Sequence, residues 1–297
     1  MTNAIEARGL TRYYGDKRGV RDLDLAVPEG AILGLLGENG SGKTTALKLS
    51  MGALLPNRGE IRTLGVDPGD MPPAVRARIG WLSDALAVPE RMALADAMAL
   101  QSAYFPTWDE PLARNVAETF GLDGASVYGK LSLGQKRRYM LVLVLAQMPD
   151  LLVLDEPAGG LDPGVRRQFI DLLIEQANAR PLTVVLSSHI LSDVERLVDR
   201  VAFLKDGRVV GGGELETLRA RIKRLCLPSA AQASLVRERF RVCQTQQLED
   251  AWLATVEDFD PARLDGIEAT VEHLNLEELF LVFNGPQRTP DREEAKP

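Results

Sequence analysis

Residues 37–45 constrain the fold of this chain more than any other stretch. They match the phosphate-binding pattern G-x-x-x-x-G-K-[ST], and their sequence is Gly37, Glu38, Asn39, Gly40, Ser41, Gly42, Lys43, Thr44 and Thr45. The apolar run 32–36 precedes them and predicts a buried parallel strand. Apolar residues at helical spacing follow between residues 46 and 55. A strand, a glycine-rich loop and a helix in this order predict an α/β fold with a phosphate-binding loop.

The chemistry of such a loop is electrostatic. Glycine lets the backbone curl until successive N–H groups point inwards and surround an anion, and the N-terminus of the following helix adds a partial positive charge. We expect Lys43 to bridge the β- and γ-phosphates of a nucleotide and Thr44 to give its hydroxyl oxygen to Mg²⁺. The alternative is a glycine-rich loop that matches the pattern by chance.

Polar side chains follow two further apolar runs. The run Leu151–Leu154 predicts a buried strand that delivers Asp155 and Glu156 to the carboxyl edge of a parallel sheet, where ligands bind. Asp155 is placed to hold Mg²⁺, directly or through water, and Glu156 to deprotonate a water that attacks the γ-phosphate. The run 183–188 ends at His189, which becomes a candidate for contacting the γ-phosphate at the same edge.

Composition limits the classes of protein that this chain can belong to. With 297 residues and a net charge of −7, it gives no general reason to expect nucleic-acid binding. Its two cysteines, Cys226 and Cys243, do not form a disulfide framework, which indicates a reducing cytosol. The longest apolar run, 139–149, is shorter than the roughly 20 residues that a membrane span requires.

The pattern of the chain predicts several parts. Residues 4–30 alternate short apolar runs with turns and predict antiparallel β-structure against the phosphate-binding core. Helical patterns predict a helical subdomain at about 86–150, within an ATPase domain of residues 1–220. Short strands and helices predict a small α+β appendage over 221–284. Residues 285–297 are rich in charge and proline, and we predict a disordered tail there.

Five motifs occur in an informative order. They are the loop 37–45, Leu131–Gln135, Leu152–Pro157, Gly160–Asp162 and Ser187–His189. Over about residues 4–220, this order resembles the nucleotide-binding subunit of ABC transporters. The resemblance implies a P-loop NTPase core with a mixed sheet, an antiparallel β-subdomain and a helical subdomain. It also implies that two such domains meet head to tail and enclose each ATP between the phosphate loop of one and the signature loop of the other.

The resemblance assigns an adenine-stacking role to an aromatic residue near the phosphate loop. By position this residue is Tyr14, which directly precedes Gly15, and Tyr13 is the competing candidate. A tyrosine ring can stack on an adenine base, whereas spacing alone favours an ordinary packed tyrosine.

The resemblance also assigns roles to the later motifs. Ser132, Gly134 and Gln135 match the signature that completes the site of the partner subunit. Asp155 and Glu156 match the metal-side acid and the catalytic base, which agrees with their placement after a buried strand. The communication residue across the dimer and the switch histidine are matched by Asp162 and His189.

Two positions depart from the family pattern. Leu133 replaces the first glycine of the usual Leu-Ser-Gly-Gly-Gln signature, but Ser132 and Gly134 are retained, so we expect binding to be retained. Asp84 stands where the family usually has a glutamine that senses Mg²⁺ and the membrane partner. Its carboxylate can still bind Mg²⁺ but places a negative charge near the γ-phosphate, and an acid here is associated with the exporter branch.

Two further segments resemble exporter ATPases. Phe105–Asp109 resembles a segment of bacterial ATPases that serve small ABC-2-type exporters. Asn275–Leu281 resembles the short C-terminal helix of drug- and antibiotic-export ATPases, and the alternative is a plain amphipathic helix. We expect a permease helix to dock in a groove lined by residues 84–110, where Tyr104, Phe105 and Trp108 cluster. Internal packing of these aromatic residues is the alternative.

The sequence therefore predicts an ATP-hydrolysing subunit that powers a separate membrane permease, an exporter, from the cytoplasmic side of the membrane. A second ATPase subunit, either a copy of this chain or a paralogue, is the other expected partner. The competing hypothesis is a non-transport ATPase of the same superfamily that acts on nucleic acid or ribosomes. Such proteins tend to carry coiled-coil insertions, basic faces or tandem ATPase domains, which this sequence lacks. A GTPase switch would need Asn-Lys-x-Asp, which this sequence also lacks.

Overall fold

The computed structural model describes residues 2–15, 17–83 and 88–285. The chain divides into two compact units, residues 1–209 and 210–297. The domain boundary after residue 220 stays a prediction from sequence. The predicted tail lies outside the described residues, apart from Gly285.

The first unit contains both strands and helices. Its strands and helices, in order, are β1 (Asn3–Tyr14), β2 (Lys17–Pro28), β3 (Ile32–Gly37), α1 (Lys43–Ser50), β4 (Arg58–Thr63), α2 (Pro73–Arg76), β5 (Ile79–Leu82), α3 (Leu94–Tyr104), α4 (Glu110–Thr119), α5 (Leu133–Ala146), β6 (Leu151–Leu154), α6 (Pro163–Ala179), β7 (Thr183–Ser188), α7 (Leu191–Val194) and β8 (Arg200–Lys205). Strand β9 (Arg208–Glu214) crosses into the second unit, which continues with α8 (Leu215–Arg221), β10 (Lys223–Leu227), α9 (Ala230–Arg239), β11 (Arg241–Gln247), β12 (Trp252–Glu257), β13 (Thr270–His273) and α10 (Leu276–Asn284).

A six-stranded sheet forms the centre of the first unit, in the order β5-β6-β7-β3-β8-β9. The first five strands are parallel, and β3, β6 and β7 are buried along their whole length. Burial on both faces explains why these strands read as continuous apolar runs. Asp206 and Gly207, both at positive φ, join β8 to β9 in a two-residue turn. The mixed sheet confirms the predicted fold class.

A second, antiparallel sheet has the order β2-β1-β4. Ala7 of β1 lies opposite Leu25 of β2 on one side and Ile61 of β4 on the other. Because these residues are buried together with residues of β3 and α1, this sheet covers the phosphate-loop side of the core. The predicted antiparallel structure over residues 4–30 is present.

Helix α1 ends earlier than the apolar spacing suggested. Gly52 follows its last turn at φ 69°, and its N–H donates to the carbonyl of Leu49 at 3.1 Å. A glycine in the left-handed region is a frequent helix terminator, because it has no Cβ to clash. Leu55 therefore lies beyond the helix and is 63% exposed.

Along the chain, the helices α3, α4 and α5 come after β5 and before β6, within the range of the predicted helical subdomain. The Asp109 side chain caps α4 by accepting the Leu112 N–H at 2.8 Å. Tyr139 of α5 is fully buried, and its hydroxyl donates to the carbonyl of Ala93 at 3.1 Å. Burial raises the pKa of Tyr139 to about 12.

The second unit contains an antiparallel sheet of the order β11-β12-β10-β13. Its own core includes Leu225, Val236 and Val256. Helix α10 begins with a capping box, in which Asn275 accepts the Glu278 N–H and Glu278 accepts the Asn275 N–H. Across the described residues of both units, no helix has the length and apolar composition of a membrane span.

The buried Tyr139 hydroxyl gives a first prediction. Tyr139→Phe removes one hydrogen bond to a carbonyl and should cost about 1 kcal/mol of stability. That loss corresponds to a fall in Tm of about 2–4 °C for a unit of this size, measured by calorimetry. Tyr104→Phe is the control, because Tyr104 is 73% exposed. An unchanged Tm in Tyr139→Phe would contradict the contribution of this hydrogen bond.

The two free cysteines of the second unit give a second prediction. Burial, with a smaller contribution from the Glu257 carboxylate, raises the pKa of the Cys243 thiol to about 11; burial and the Glu272 carboxylate also raise the pKa of Cys226. Thiolate is the reactive species, so at pH 8 we expect Cys243 to react with iodoacetamide about 100-fold more slowly than a free thiol. Peptide mass spectrometry follows the labelling, and guanidinium-unfolded protein is the control. Equal labelling in folded and unfolded protein would contradict the shift.

Candidate functional site

A cavity of about 510 Å³ lies at the carboxyl end of β3. Most of its wall is the loop that the sequence predicted to bind phosphate. The lining residues are Tyr14, Gly19, Asn39, Gly40, Gly42, Lys43, Thr44, Thr45 and Glu156. Three loop residues are not part of this lining: Gly37, Glu38 and Ser41. Of these, Gly37 and Ser41 pack against each other, since a Cβ on Gly37 would lie 2.5 Å from the Ser41 hydroxyl oxygen.

The loop backbone is shaped for an anion. Gly42 has φ 108°, and a Cβ on it would lie 2.4 Å from the carbonyl oxygen of Gly19, so only glycine fits there. No side chain caps α1, and its first turn contains no acidic residue, which leaves its N-terminal N–H groups available to an anion. The Ser41 hydroxyl is buried and has no hydrogen-bond partner among the described residues. A phosphate oxygen would satisfy these donors.

Lys43 is the buried cation of the cavity. Its side chain is only 6% exposed, and its ammonium donates to the carbonyl oxygens of Gly37 at 2.7 Å and Glu38 at 3.2 Å. The same ammonium lies 3.3 Å from Oε1 of Glu156. The loop therefore holds the ammonium beside a carboxylate from a different strand end.

Thr44 and Asp155 meet where the sequence predicted a magnesium site. The Thr44 hydroxyl oxygen lies 3.1 Å from Oδ1 of Asp155. Ligands of Mg²⁺ at about 2.1 Å in octahedral geometry place neighbouring oxygens about 3 Å apart, so the two oxygens fit adjacent positions. Among the residues that the structure describes, no group of three or more His, Cys, Asp or Glu side chains could hold a metal. A magnesium ion here would thus take its remaining ligands from phosphate and water.

Ser187 links the two acidic residues, and the sequence analysis did not assign it to the site. Its hydroxyl donates to Oδ1 of Asp155 at 2.7 Å and accepts the N–H of Glu156 at 2.8 Å. The register that pairs Leu154 with Leu186 places Ser187 beside Asp155. A polar residue at the end of an apolar strand was the available signal, but the sequence did not show which strands are neighbours.

Glu156 and His189 are brought together as predicted for one sheet edge. Nδ1 of His189 lies 2.7 Å from Oε2 of Glu156. Because a carboxylate only accepts, Nδ1 must carry the hydrogen of this bond. Glu156 itself has φ 48°, which is rare for a residue with a side chain. Its two carboxylate oxygens are thus each held, one by His189 and the other by Lys43.

Tyr14, and not Tyr13, lines the cavity. Tyr14 is 44% exposed, and the Arg12 guanidinium lies 5.6 Å from the centroid of its ring. Gly19 provides the room for this ring, since a Cβ on it would lie 2.7 Å from Cε2 of Tyr14 and 2.8 Å from Cγ2 of Thr45. Gly19 was not predictable from the sequence, because it faces the cavity only after β2 pairs with β1.

The predicted signature residues are not among those that line the cavity. Ser132 and Gln135 instead form a capping box at the start of α5: Ser132 accepts the Gln135 N–H at 3.3 Å, and the Gln135 side chain accepts the Ser132 N–H at 2.9 Å. A Cβ on Gly134 would lie 2.6 Å from the carbonyl oxygen of Gly160, so the signature packs tightly on the loop before α6. Leu133 is 71% exposed.

Asp162 and Asp84 are the two remaining residues that the sequence predicted at the site. Asp162 caps α6 by accepting the Val165 N–H at 3.0 Å. Asp84 lies outside the described residues, so its position at the site stays a prediction.

A family model described as ABC transporter matches residues 20–159 of this chain. The bacitracin transport ATP-binding protein BcrA of Bacillus licheniformis is 32% identical over 71% of this chain and 69% of its own length. The daunorubicin/doxorubicin resistance ATP-binding protein DrrA of Streptomyces peucetius is 34% identical over 74% of this chain and 68% of its own.

Solved structures also resemble this chain. An ATP-binding subunit of an ABC transporter superposes with a TM-score of 0.66 at 28% identity, over 74% of this chain and 92% of its own. A dimeric bacterial ABC transporter cassette gives a TM-score of 0.63 over 71% of this chain and 98% of its own. Its identity is 22%, so this second likeness shows the fold alone.

The bridging position of Ser187 gives a third prediction. Ser187→Ala removes the acceptor of the Glu156 N–H and one donor to Asp155, and should lower the free energy of unfolding by about 1–3 kcal/mol, as measured by denaturant titration. Ser102→Ala is the control, because that hydroxyl is exposed and donates to the carbonyl of Ala99 in its own helix. A loss in Ser187→Ala no larger than that of the control would show that the bridge does not contribute.

Proposed function

Since this chain belongs to the ABC transporter family, we propose that it is the ATP-binding and ATP-hydrolysing subunit of a transporter whose membrane permease is a separate protein. The observation that carries the proposal is one cluster at the sheet edge. There the Glu156 carboxylate contacts the Lys43 ammonium with one oxygen and the His189 ring with the other. The Thr44–Asp155 pair lies beside them. The phosphate loop alone supports nucleotide binding, and the cluster adds the groups that hydrolysis requires.

ATP binding follows from the loop geometry. The N–H groups of the loop and of the first turn of α1, together with the Ser41 hydroxyl, would donate hydrogen bonds to the phosphates. The Lys43 ammonium already lies within the cavity wall. It would therefore exchange its hydrogen bonds to the carbonyls of Gly37 and Glu38 for hydrogen bonds to phosphate oxygens. Tyr14, at the rim, would stack on the adenine ring.

Hydrolysis would follow from the release of Glu156. Once Lys43 turns to the phosphates, Oε1 of Glu156 is free to accept a proton from the attacking water. His189 would keep Oε2 in place, and its ring stands at the edge where the γ-phosphate would lie. Glu156 is thereby proposed as the general base and His189 as the residue that orients it.

Thr44 and Asp155 would hold Mg²⁺, as the separation of their oxygens fits adjacent ligand positions. A magnesium ion held there would neutralise charge on the phosphates of a bound nucleotide. Ser187 would keep Asp155 oriented for this task through its 2.7 Å hydrogen bond.

A second ATPase subunit would complete the site. Ser132, Gly134 and Gln135 lie away from the cavity of their own chain, at an exposed helix N-terminus, which suits contact with the phosphates of a neighbour. We propose a head-to-tail dimer closed by ATP and opened by hydrolysis, with Asp162 as the communication residue between the subunits.

The transporter would be an exporter. BcrA and DrrA carry the words bacitracin transport and daunorubicin/doxorubicin resistance in their names, which supports the drug- and antibiotic-export branch. The alternative of a non-transport ATPase acting on nucleic acid or ribosomes is not favoured by these relatives. Residues 221–284 would form an accessory domain of the subunit.

The permease would dock on the helical subdomain. A cavity of about 720 Å³ lies between α3 and α4 and is lined by apolar residues such as Leu94, Met98 and Trp108, with Glu110 and Arg114 at its polar side. An apolar groove of this kind fits the apolar face of a short helix. Tyr104 is 73% exposed and is available to the same partner. Docking there would hold the subunit at the cytoplasmic side of the membrane.

The base assignment gives a fourth prediction. Glu156→Gln should retain ATP binding but lower the hydrolysis rate by about 10²–10⁴-fold, since an amide does not take up the proton. Phosphate release measures the rate, and light scattering with ATP should show a trapped dimer. Glu175→Gln, on the exposed face of α6, is the control. Hydrolysis at the wild-type rate in Glu156→Gln would remove Glu156 from this role.

A further inference from the structure

The backbone of Glu156 is held on both sides by side chains of different elements. On one side its N–H donates to the hydroxyl of Ser187 in β7. On the other side its carbonyl accepts the guanidinium of Arg137 in α5 and, at 3.0 Å, the N–H of Gly159. The proposed function uses the carboxylate of Glu156 and leaves the contact with Arg137 without a role.

The residues around the contact between Arg137 and Glu156 leave room for it. Arg137 is half-buried, in the second turn of α5, the helix that begins at the Ser132–Gln135 capping box. Gly159 passes beside it, and a Cβ there would lie 3.0 Å from Nη1 of Arg137 and 3.2 Å from the Glu156 carbonyl oxygen. The absence of a side chain at residue 159 therefore leaves the path between guanidinium and carbonyl open.

The contact bears on an unfavourable backbone conformation. Glu156 has φ 48°, where the Cβ of an L-residue is crowded, and such a conformation persists only where neighbours hold it. The direction of the Glu156 side chain depends on this φ, and so do its distances of 2.7 Å to His189 and 3.3 Å to Lys43. A donor on the Glu156 carbonyl therefore influences where the carboxylate lies.

We propose that Arg137 is a positioning residue for Glu156, through which the helix that carries the signature sets the alignment of the base. The proposal rests on the assignment of Glu156 as the base. When a partner's nucleotide engages the N-terminus of α5, a shift of that helix moves the Arg137 guanidinium and, with it, the Glu156 peptide. Hydrolysis in one site is thereby linked to occupancy of the signature of the same chain, with no further contact required.

The test compares hydrolysis with binding. In Arg137→Ala we expect single-turnover hydrolysis of ATP to fall about 10–30-fold, while affinity for a fluorescent ATP analogue changes less than twofold. Arg137→Lys, which keeps one donor, should recover most of the rate. Arg196→Ala is the control, because the Arg196 guanidinium lies at the surface, 3.3 Å from Asp171, and both readouts should stay within twofold of wild type.

A double variant separates positioning from a structural role. If Arg137 acts through Glu156, Arg137→Ala should change the residual rate of Glu156→Gln less than twofold. An equal 10–30-fold loss in both backgrounds would overturn the proposal, and so would a wild-type rate in Arg137→Ala or a parallel loss of affinity and rate.

A second route to the same contact covers the case in which Arg137→Ala does not fold. Gly159→Ala keeps the arginine but puts a methyl group against both partners, and the same rate loss, absent in the Glu156→Gln background, is expected. A wild-type rate in folded Gly159→Ala would overturn the proposal. The proposed function fails separately, if Glu156→Gln alone hydrolyses ATP at the wild-type rate.

Discussion

The parallel register of β3, β6 and β7 is the constraint on which the rest of this structure depends. It pairs Leu36 with Ser188 and Leu154 with Leu186, so the three strands end at one edge. Lys43, Glu156 and His189 follow the ends of these three strands at that edge. Without that register, Lys43, Glu156 and His189 would be three unrelated residues of the chain, more than thirty positions apart at the nearest.

Hydrogen bonds turn this edge into a single network. Thr44 contacts Asp155, Asp155 accepts from Ser187, Ser187 accepts the N–H of Glu156, and the carboxylate of Glu156 joins Lys43 and His189. Linked polar groups in a partly buried site restrict one another's orientations. The network therefore connects the side that would hold the metal with the side that would activate water.

Much of the fold and part of the site follow from sequence, for physical reasons that differ between residues. Apolar runs that end in polar residues predicted β3, β6 and β7, because strands buried on both faces show this pattern. The phosphate loop was predictable because its glycines meet a local backbone requirement. Ser187, Gly19 and Arg137 were not, because their roles depend on contacts between distant segments. The end of α1 was misjudged because Gly52 stops the helix before Leu54 and Leu55, although their spacing continues the apolar face.

The ion pair between Lys43 and Glu156 has a consequence for the cycle of the site. The Glu156 carboxylate lies 3.3 Å from the Lys43 ammonium, a position around the ammonium that a phosphate oxygen would also take. A buried ammonium left without an anion is costly, and this chain supplies its own. Under the proposed function, binding and release of a nucleotide would therefore exchange one anion for another at Lys43, and the same exchange would free or recapture the carboxylate of Glu156.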